Sequence, residues 1–309
     1  MRHSQNLWAI TCYFNPLGYQ RRRKNYGIFR QSLSVPLVTV EWSLDGHFHL
    51  GPDDAEILVQ IECEHFLWQK ERLLNIAMQS VPRDCANVAW LDCDVVFENP
   101  DWPERTAELL REFKVVEPFN LAYEVGKTGL PGDPGSKRDK GYSFMYALAK
   151  GIAPLEILRG NMRVDGRISS GLAWAARREV AERHGFYDAC VMGSGNRAIA
   201  CAALGRFDDA IHYLRMNPDW TRHYMAWAQP YYGTVQGSVG YVEGSLFHLW
   251  HGELENRRYA ERHQYLGERG FDPARDIFIG DNGAWRWNGA RAELEKFVRG
   301  YFESRREDG

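Results

Sequence analysis

Two carboxylates stand close together at the end of the most strand-like apolar segment of the chain. The segment reads NVAWLDCDVVF, Asn87 to Phe97, and carries Asp92 and Asp94 two positions apart. An acid in a buried strand is costly unless it is paired or bound to a metal. Because side chains two apart on an extended segment point to the same side, both carboxylates can reach one ion. The pattern therefore predicts a site for Mg²⁺ or Mn²⁺, cations that often bridge to a diphosphate.

Two histidines form a second group of candidate metal ligands. His248 and His251 lie three apart in the segment SLFHLWHG, which is β-prone and ends at Gly252. An imidazole beside a carboxylate makes a mixed oxygen and nitrogen site that accepts Mn²⁺. We expect at least one of the two to bind the ion with Asp94, His251 before His248. The alternative is a pair of ordinary histidines, one of them packed in the core.

The first hundred residues alternate between predicted strands and helices. LWAITCYF, PLVTVEWS and the acidic segment have the short apolar character of buried strands. Between them, RRRKNYGIFRQSLS and EHFLWQKERLLNIAMQSV have helical spacing, and Pro82 ends the second helix. Strand and helix in this alternation predict an α/β fold with a parallel sheet and crossover helices.

Further elements follow the acidic segment. The stretch from Gly126 to Gly141 is rich in glycine, proline and charge, and is either a lid loop or a linker. GLAWAARREVAERHG is predicted as a helix with Gly185 as its C-cap, and GNRAIACAALG as a helix ended by Gly205. Near the end of the sequence, ARAELEKFVRGYF has the spacing of an amphipathic helix.

Composition narrows the class of protein. The 309 residues are 44% hydrophobic and 26% charged, typical of a folded globular protein. The net charge of −3 provides no global attraction to nucleic acid or to an anionic membrane. The six cysteines form no C-x-x-C pair, which favours reduced thiols. No signal peptide or apolar run of membrane-spanning length is seen, so we expect a soluble, cytoplasmic protein without a membrane span.

The order and spacing of these segments resemble the glycosyltransferases of the GT-A fold, over roughly residues 7–255. The resemblance implies an α/β fold, with a Rossmann-like mostly parallel central sheet flanked by helices and a C-terminal acceptor-side extension. Residues 1–255 would form the catalytic domain, with a nucleotide-binding half at 1–100, an acceptor-side half at 101–255 and a lid loop at 126–141. Residues 256–309 would be a helical and aromatic extension that packs on the same domain.

The resemblance also implies roles for individual residues. The metal ligands would be Asp94 and His251, with Asp92 and His248 as further candidates. The donor-binding residues would be Asn15, Glu41, Lys70, Arg72, Asn75 and Asp92. On the acceptor side the candidates are Asp188, Asn196 and Asp165. Asn196 stands where many relatives have an acid, and an amide is unable to deprotonate a hydroxyl. Either Asp188 or Asp165 is the base, or the enzyme retains configuration and needs none.

The function implied is metal-dependent transfer of a sugar from a nucleotide-diphospho-sugar, most simply a UDP-sugar, with Mn²⁺ or Mg²⁺. The acceptor stays open: a glycan, a small molecule or a hydroxymethylated base in DNA. The basic run Arg21 to Lys24 is either a solvated face or a contact for the donor diphosphate or an acidic acceptor. Two alternatives remain: a haloacid-dehalogenase-like phosphatase that uses Asp92 and Asp94, and a catalytically silent relative that binds nucleotide-sugars.

Overall fold

The computed structural model describes residues 6–133, 139–160 and 167–309. The strands within these ranges are β1 (Leu7–Phe14), β2 (Leu37–Ser43), β3 (Ile57–Glu62), β4 (Asn87–Leu91), β5 (Val95–Phe97), β6 (Val115–Glu117), β7 (Leu121–Glu124), β8 (Lys140–Ser143), β9 (Arg167–Ser169), β10 (Ala173–Arg177), β11 (Val239–Tyr241), β12 (Ser245–His248), β13 (Ile277–Ile279) and β14 (Trp285–Trp287). The α-helices are α1 (Gln20–Ser32), α2 (Lys70–Ser80), α3 (Trp102–Leu109), α4 (Phe144–Ala149), α5 (Arg178–His184), α6 (Gly195–Ala203), α7 (Phe207–Tyr213), α8 (Pro218–Val235), α9 (Tyr259–Glu268), α10 (Pro273–Asp276) and α11 (Ala292–Ser304).

The central layer is a seven-stranded sheet in the order β3-β2-β1-β4-β10-β6-β11. Neighbouring strands are parallel except where β10 lies antiparallel to β4 and β6. Helix α2 packs on β1 and β2, and α5 packs on β10 and β4. Parallel neighbours need crossover connections, and helix α1 supplies the one between β1 and β2. The predicted fold class, α/β with a mostly parallel Rossmann-like sheet flanked by helices, is confirmed.

The acidic segment lies where the chain passes from one sheet to another. β4 ends at Leu91, the chain turns through Asp92 to Asp94, and β5 then joins a five-stranded sheet in the order β5-β12-β7-β8-β9. The predicted single strand over residues 87–97 is therefore two short strands in different sheets. Ligand sites of open α/β sheets lie beyond the carboxyl ends of the strands. Both carboxylates are thus held at such an end, outside the core of the central sheet.

The predicted helix at 171–185 is wrong in its first half. Residues 173–177 form β10, and only 178–184 are helical, ended by Gly185 with φ of +61°. The small side chains of this segment fit between β4 and β6 in the middle of the sheet, where all but Arg177 are buried. The Trp174 ring stacks on Trp90 of the neighbouring strand, with centroids 6.3 Å apart. Tertiary packing overrides the helical propensity of the alanines here.

The predicted helix over residues 64–81 begins later, at Lys70. Before that residue the chain makes bonds to distant segments: the Trp68 amide donates to the Val191 carbonyl at 3.0 Å. The side chain of Gln69 is buried and accepts a hydrogen bond from the Trp285 amide at 2.7 Å. These long-range bonds compete with the first helical turn. Strand β3, at the edge of the central sheet, has no counterpart among the predicted elements.

The region after residue 255 contributes to the main core. Phe271, Trp285, Trp287 and Phe302 are buried in the same apolar cluster as Ile10 of β1. Burial of large aromatic side chains is a major source of stability. The predicted division into a catalytic domain at 1–255 and an extension at 256–309 stays a prediction.

Two further expectations concern the oxidation state of the cysteines and the presence of a membrane-spanning helix. All six cysteines are described, buried and free. Among the helices of the described residues, none is both long and apolar enough to cross a membrane.

Candidate active site

The two sheets bring Asp94 and both histidines together. β12 pairs antiparallel with β5, and the register sets His248 opposite Val95, the residue after Asp94. The Leu249 amide then donates to the Asp94 carbonyl at 2.8 Å, which keeps the following turn against the acidic segment. As a result His248 Nε2 lies 3.7 Å from Asp94 Oδ1, and His251 Nε2 lies 3.4 Å from Asp94 Oδ2. The two Nε2 atoms are 3.2 Å apart.

Each histidine ring is oriented by charged neighbours. His248 Nδ1 lies 2.8 Å from Oε2 of Glu124, the residue paired with it on β7. His251 Nδ1 faces Glu307 Oε1 at 3.7 Å, and its Nε2 accepts from Arg257 Nη2 at 3.0 Å. A carboxylate on Nδ1 favours the tautomer in which the Nε2 lone pair is available to a metal. Both rings turn Nε2 towards Asp94, and a metal would replace Arg257 as the partner of His251 Nε2.

The charges around the cluster fit a cation. Burial raises the pKa of Asp94, against the effect of His248, and its buried Oδ1 accepts no hydrogen bond from the described residues. Burial and the Arg257 guanidinium hold the pKa of His251 well below its usual range, so the ring is neutral. Burial alone would raise the pKa of Glu124, but His248 and Arg167 lower it to about 2. A buried oxygen without a partner beside two imidazoles is the arrangement expected of a metal site.

Of the described residues, Asp94, His248 and His251 form the group of three metal-ligating side chains whose ligand atoms lie within 4.8 Å of one another. One carboxylate oxygen with two imidazole nitrogens suits Mn²⁺ better than Mg²⁺, which prefers oxygen ligands. These three residues are the ones that would hold the ion.

A cavity of about 310 Å³ lies beside the cluster. It is bounded by the ends of the central strands, the segment 167–172, the start of α6 and the region after residue 248. Its lining is rich in cationic side chains, which are Arg22, Lys70, Arg167, Arg197, Arg257, Arg262 and Arg305. The acids in the lining are Glu71, Asp92 and Asp94. A concave site with this charge favours an anionic ligand.

Asp92 faces the cavity in a different setting from Asp94. Lys70 donates to Asp92 Oδ1, and the Leu172 amide donates to Oδ2 at 3.2 Å. Burial alone would lower the pKa of Lys70, but Asp92 and Glu71 raise it above its usual value. Asn196 lines the same cavity, and its buried Oδ1 has no hydrogen-bond partner among the described residues. Lys70, Asp92 and Asn196 are thus brought together with the metal cluster.

Glu71 is a cavity residue that the sequence analysis did not select. It is 2% exposed, and burial raises the pKa of its carboxyl to about 7, against the lowering effect of Lys70. Its carboxyl lies under the start of α6, where a Cβ on Gly195 would come within 2.3 Å of Glu71 Oε1. Glycine is therefore required at position 195 for this approach. A carboxyl with a pKa near neutrality in a cavity is a candidate general base.

Three other predicted residues lie together outside the cavity lining. Asp188 Oδ2 accepts from Arg72 Nη1 at 3.1 Å and from Asn75 Nδ2 at 2.9 Å. Arg72 Nε also donates to the Gly283 carbonyl at 2.7 Å. Asn75 exchanges two hydrogen bonds with the backbone of Phe186. This cluster joins α2 to the segments around residues 186 and 283, a placement that does not support the predicted donor and base roles.

The remaining predicted residues also lie apart from the cavity. Asn15 is bonded to the Tyr19 backbone through both ends of its side chain and shapes the turn after β1. Glu41 is 1% exposed, and its carboxylate accepts from the His49 and Leu50 amides and from Gln60. Asp165 lies outside the described residues.

Several site residues carried no signal in the sequence. Glu124 and Glu307 reach the histidines only through the sheet register and the fold of the segment after residue 304, whereas Arg257 follows His251 by six positions. Arg22 belongs to the basic run noted above. It lines the cavity and is paired with Glu307, whereas Arg23 and Lys24 are exposed.

No family model matches the chain, and a search of curated proteins finds no match. Among solved structures, the chain is similar to glucosyl-3-phosphoglycerate synthase from Mycobacterium tuberculosis in complex with Mn²⁺, UDP-glucose and phosphoglyceric acid. The identity is 10%, with 92% of this chain and 86% of that chain covered and a TM-score of 0.42. It is also similar to residues 1–349 of S. aureus TarS, at 9% identity, with 97% and 81% covered and a TM-score of 0.41. The same region of TarS in complex with UDP-GlcNAc gives a TM-score of 0.39. At these scores the similarity by itself establishes neither substrate nor mechanism.

Proposed function

We propose that the protein is a metal-dependent glycosyltransferase that takes a sugar from a nucleotide-diphospho-sugar, with a UDP-sugar as the first donor to test. The observation that carries the proposal is the Asp94, His248 and His251 cluster in the wall of a cationic cavity. A metal held there would neutralise the charge that develops on a diphosphate leaving group. The low structural similarity to enzymes solved with UDP-sugars is in keeping with this proposal but does not carry it.

The cations of the cavity provide a binding surface for the donor phosphates. Arg22 and Arg305 share the buried carboxylate of Glu307, and Arg305 Nη2 lies 3.4 Å from His251 Nδ1. Guanidinium groups beside a metal site can donate bidentate hydrogen bonds to phosphate oxygens. We therefore place the diphosphate between the metal cluster and these two arginines. Asp92, held by Lys70, is then available to accept hydrogen bonds from hydroxyls of the donor.

Glu71 is the proposed general base of the acceptor reaction. It lines the cavity, has a pKa near neutrality and lies next to the start of α6. The ionised form of Glu71 would take the proton from an acceptor hydroxyl, a task that the Asn196 amide is unable to perform. Asn196 Oδ1 would accept a hydrogen bond from a substrate hydroxyl. If the enzyme retains configuration, Glu71 is not needed as a base, and the variant described in the Discussion separates the two cases.

The phosphatase alternative is less well supported by the geometry. It requires Asp94 to carry a proton to the leaving group, whereas two imidazole Nε2 atoms lie within 3.7 Å of its oxygens. The phosphatase mechanism offers no role for these two rings, whereas a metal ion would use both as ligands. The alternative of a catalytically silent protein that binds nucleotide-sugars is supported by Asn196. A measurement of turnover distinguishes it from an active transferase.

The deciding experiment is a donor panel with Mn²⁺ and with a chelator. Hydrolysis or transfer of UDP-sugars, GDP-sugars and a generic phosphate ester is measured in parallel, together with calorimetry of UDP binding. We expect metal-dependent turnover of a nucleotide-sugar and UDP binding in the micromolar range, roughly −8 kcal/mol. Hydrolysis of the phosphate ester alone would support the phosphatase, and binding without turnover would support the silent relative. Turnover that survives exhaustive chelation would exclude the proposed mechanism.

A further inference from the structure

The first turn of helix α6 opens into the cavity and carries hydrogen-bonding groups without a partner in the described parts of the chain. We propose that this turn, with the carboxyl of Glu71, binds two neighbouring hydroxyl groups of the acceptor, one of which receives the sugar. The inference rests on the proposed function and names the acceptor class of the same site: a polyol with hydroxyls on adjacent carbons.

The backbone of this turn supplies two donors. The nine-residue helix begins at Gly195, and its first residues line the cavity. Within the described residues, the amides of Gly195 and Asn196 are bonded to no acceptor, and the N-cap residue Ser194 makes no capping bond with its side chain. The Ser194 hydroxyl lies instead 2.9 Å from Arg262 Nη2 and 3.0 Å from His263 Nε2. Free amides at the positive end of a helix dipole attract an oxygen ligand.

The side chain of Asn196 supplies an acceptor beside these donors. Asn196 is 8% exposed and lines the cavity, and its buried Oδ1 accepts no hydrogen bond from the residues that the structure describes. A buried oxygen in this state costs free energy until a ligand donates to it. This oxygen indicates a ligand independently of the helix dipole, since a carbonyl oxygen repels the anions that free amides attract. The ligand must therefore donate as well as accept.

The Glu71 carboxyl supplies a second acceptor. A Cβ on Gly195 would lie 2.3 Å from Glu71 Oε1 and 2.2 Å from its carboxyl carbon, so glycine alone allows this approach to the helix. Glu71 itself stands in the first turn of α2 and is 2% exposed. A phosphate or carboxylate at this point would face the ionised Glu71 and the Asn196 oxygen, and both repel an anion. The site is therefore suited to a neutral ligand.

The number of donors and acceptors matches a pair of hydroxyls. A hydroxyl donates one hydrogen and accepts through its lone pairs. The two amides and two oxygens, Asn196 Oδ1 and the Glu71 carboxylate, are all satisfied by two hydroxyls, but not by one hydroxyl or by an anion. Because Gly195 and Asn196 are consecutive and Glu71 lies against the first, the two hydroxyls must be close together. Adjacent carbons of a sugar or another polyol provide such a pair.

Each hydroxyl has its own role in the transfer step. The hydroxyl on Glu71 gives its proton to that carboxylate while its oxygen bonds to the anomeric carbon of the donor. The bond from this carbon to the diphosphate oxygen breaks, and its electron pair stays on the diphosphate. The free amides stabilise the negative charge that develops on the attacking oxygen. The neighbouring hydroxyl donates to Asn196 Oδ1 and so fixes which oxygen of the acceptor reacts.

The test compares simple alcohols as acceptors for the protein loaded with Mn²⁺ and the UDP-sugar that the donor panel identifies. The probes are propane-1,2-diol, which has adjacent hydroxyls, and propane-1,3-diol and propan-1-ol, which do not. We expect the rate constant for transfer to the adjacent diol to exceed the other two at least about tenfold, because a site that bonds a hydroxyl rejects analogues that lack it. Asn196→Ala should reduce this ratio to within about twofold and leave the affinity for the UDP-sugar unchanged.

Unfolding of the protein without ligands provides a second measurement, which a structural role of Asn196 would change. Asn196→Ala removes an oxygen that has no hydrogen bond to lose within the described residues, so the denaturation midpoint should stay the same or rise. Asn75→Ala is the matched control, because the same substitution there breaks hydrogen bonds to Phe186 and Asp188 and should lower the midpoint. Equal losses of stability in both variants would make Asn196 a structural residue and overturn the proposal.

The remaining outcomes separate this inference from the proposed function. Transfer to the three alcohols at equal rates, or donor hydrolysis without transfer to any of them, would overturn the inference and leave the proposed function in place. A loss of UDP-sugar affinity in Asn196→Ala without a change in alcohol selectivity would assign Asn196 to the donor sugar instead. If no nucleotide-sugar is turned over, the proposed function fails, and the acceptor site fails with it.

Discussion

Two polar clusters are each built around an aspartate and differ in how their hydrogen bonds are satisfied. In one, Asp188 is bonded to Arg72 and Asn75, and Asn75 in turn is bonded to the backbone of Phe186. In the other, Asp94 is surrounded by imidazoles and keeps a buried oxygen without a hydrogen bond from the described residues. The first cluster is closed, whereas the second is open towards a cavity.

The difference shows how a binding site can be separated from a structural network. Buried polar groups are normally bonded, and a completed network mainly fixes the packing of the segments that it joins. A buried acceptor that stays unbonded costs free energy in the absence of a ligand and regains it when a ligand binds. Residue type alone does not reveal this, since an aspartate with nitrogen-bearing side chains as neighbours occurs in both clusters.

The largest expected effect comes from the same substitution made in each cluster. Asp94→Asn keeps the shape of the side chain and removes the charged ligand, so turnover should fall by about 10²–10³, or roughly 2.7–4 kcal/mol. Asp188→Asn should leave turnover within a few-fold, because Asp188 does not line the cavity. Turnover is measured as a function of Mn²⁺ concentration for both variants. Equal losses in both would contradict the distinction between open and closed clusters.

Substitution of Glu71 tests whether the cavity beside the open cluster also provides a general base. Because burial raises the pKa of Glu71 to about 7 and a base acts in its ionised form, turnover should rise with pH up to about 7 and then level off. Glu71→Gln should remove this rise and lower turnover at pH 8 by about 10². The measurement is a pH profile of kcat/KM for the parent protein and the variant.

The pH dependence of the free energy of unfolding provides a control for the predicted role of Glu71. A carboxyl pKa that is raised on folding stabilises the folded protein at low pH, and this contribution is lost as pH rises from about 4.5 to about 7. Glu71→Gln should flatten that part of the stability profile whether or not Glu71 is the base. A flattened stability profile together with unchanged turnover would leave Glu71 as a structural residue beneath Gly195.

A smaller effect is expected from the carboxylates behind the histidines. Glu124→Gln keeps a hydrogen-bond acceptor near His248 Nδ1 and removes the charge, so Mn²⁺ affinity should fall by about 10–100-fold. Saturating Mn²⁺ should restore most of the turnover, because mass action refills a weakened site. Titration of Mn²⁺ binding measures the loss of affinity, and turnover at high Mn²⁺ measures the recovery of activity. An unchanged affinity would remove Glu124 from the site.

The sequence predicts the local part of this arrangement and misses the long-range part. Asp92 and Asp94 are recognisable because two acids end an apolar strand, and the alternation of elements predicts the parallel sheet. The strand at 173–177 is not recognisable, because its alanines favour a helix until neighbouring strands enclose them. Glu124 and Glu307 carry no local pattern, since their roles arise from strand register and from packing of distant segments. Arg72 and Asn75 have side chains suited to donor binding and lie on α2, the helix that also carries Lys70 and Glu71 of the cavity. The sequence does not show which face of this helix meets the cavity.

The smallest effect on activity is expected from breaking the closed cluster. Asn75→Ala removes the two bonds with Phe186 and the bond to Asp188, and leaves buried backbone groups without partners. The free energy of unfolding should fall by about 1–3 kcal/mol, the cost of unsatisfied buried groups. Mn²⁺ affinity and turnover of the folded protein should change by less than a few-fold, since no atom of Asn75 lines the cavity. Chemical denaturation measures the free energy of unfolding. Mn²⁺ affinity and turnover are measured at temperatures below the unfolding transition. A variant of normal stability with a large loss of donor binding would instead restore Asn75 to the donor site and show that a closed hydrogen-bond network is not, in this protein, a mark of a structural role.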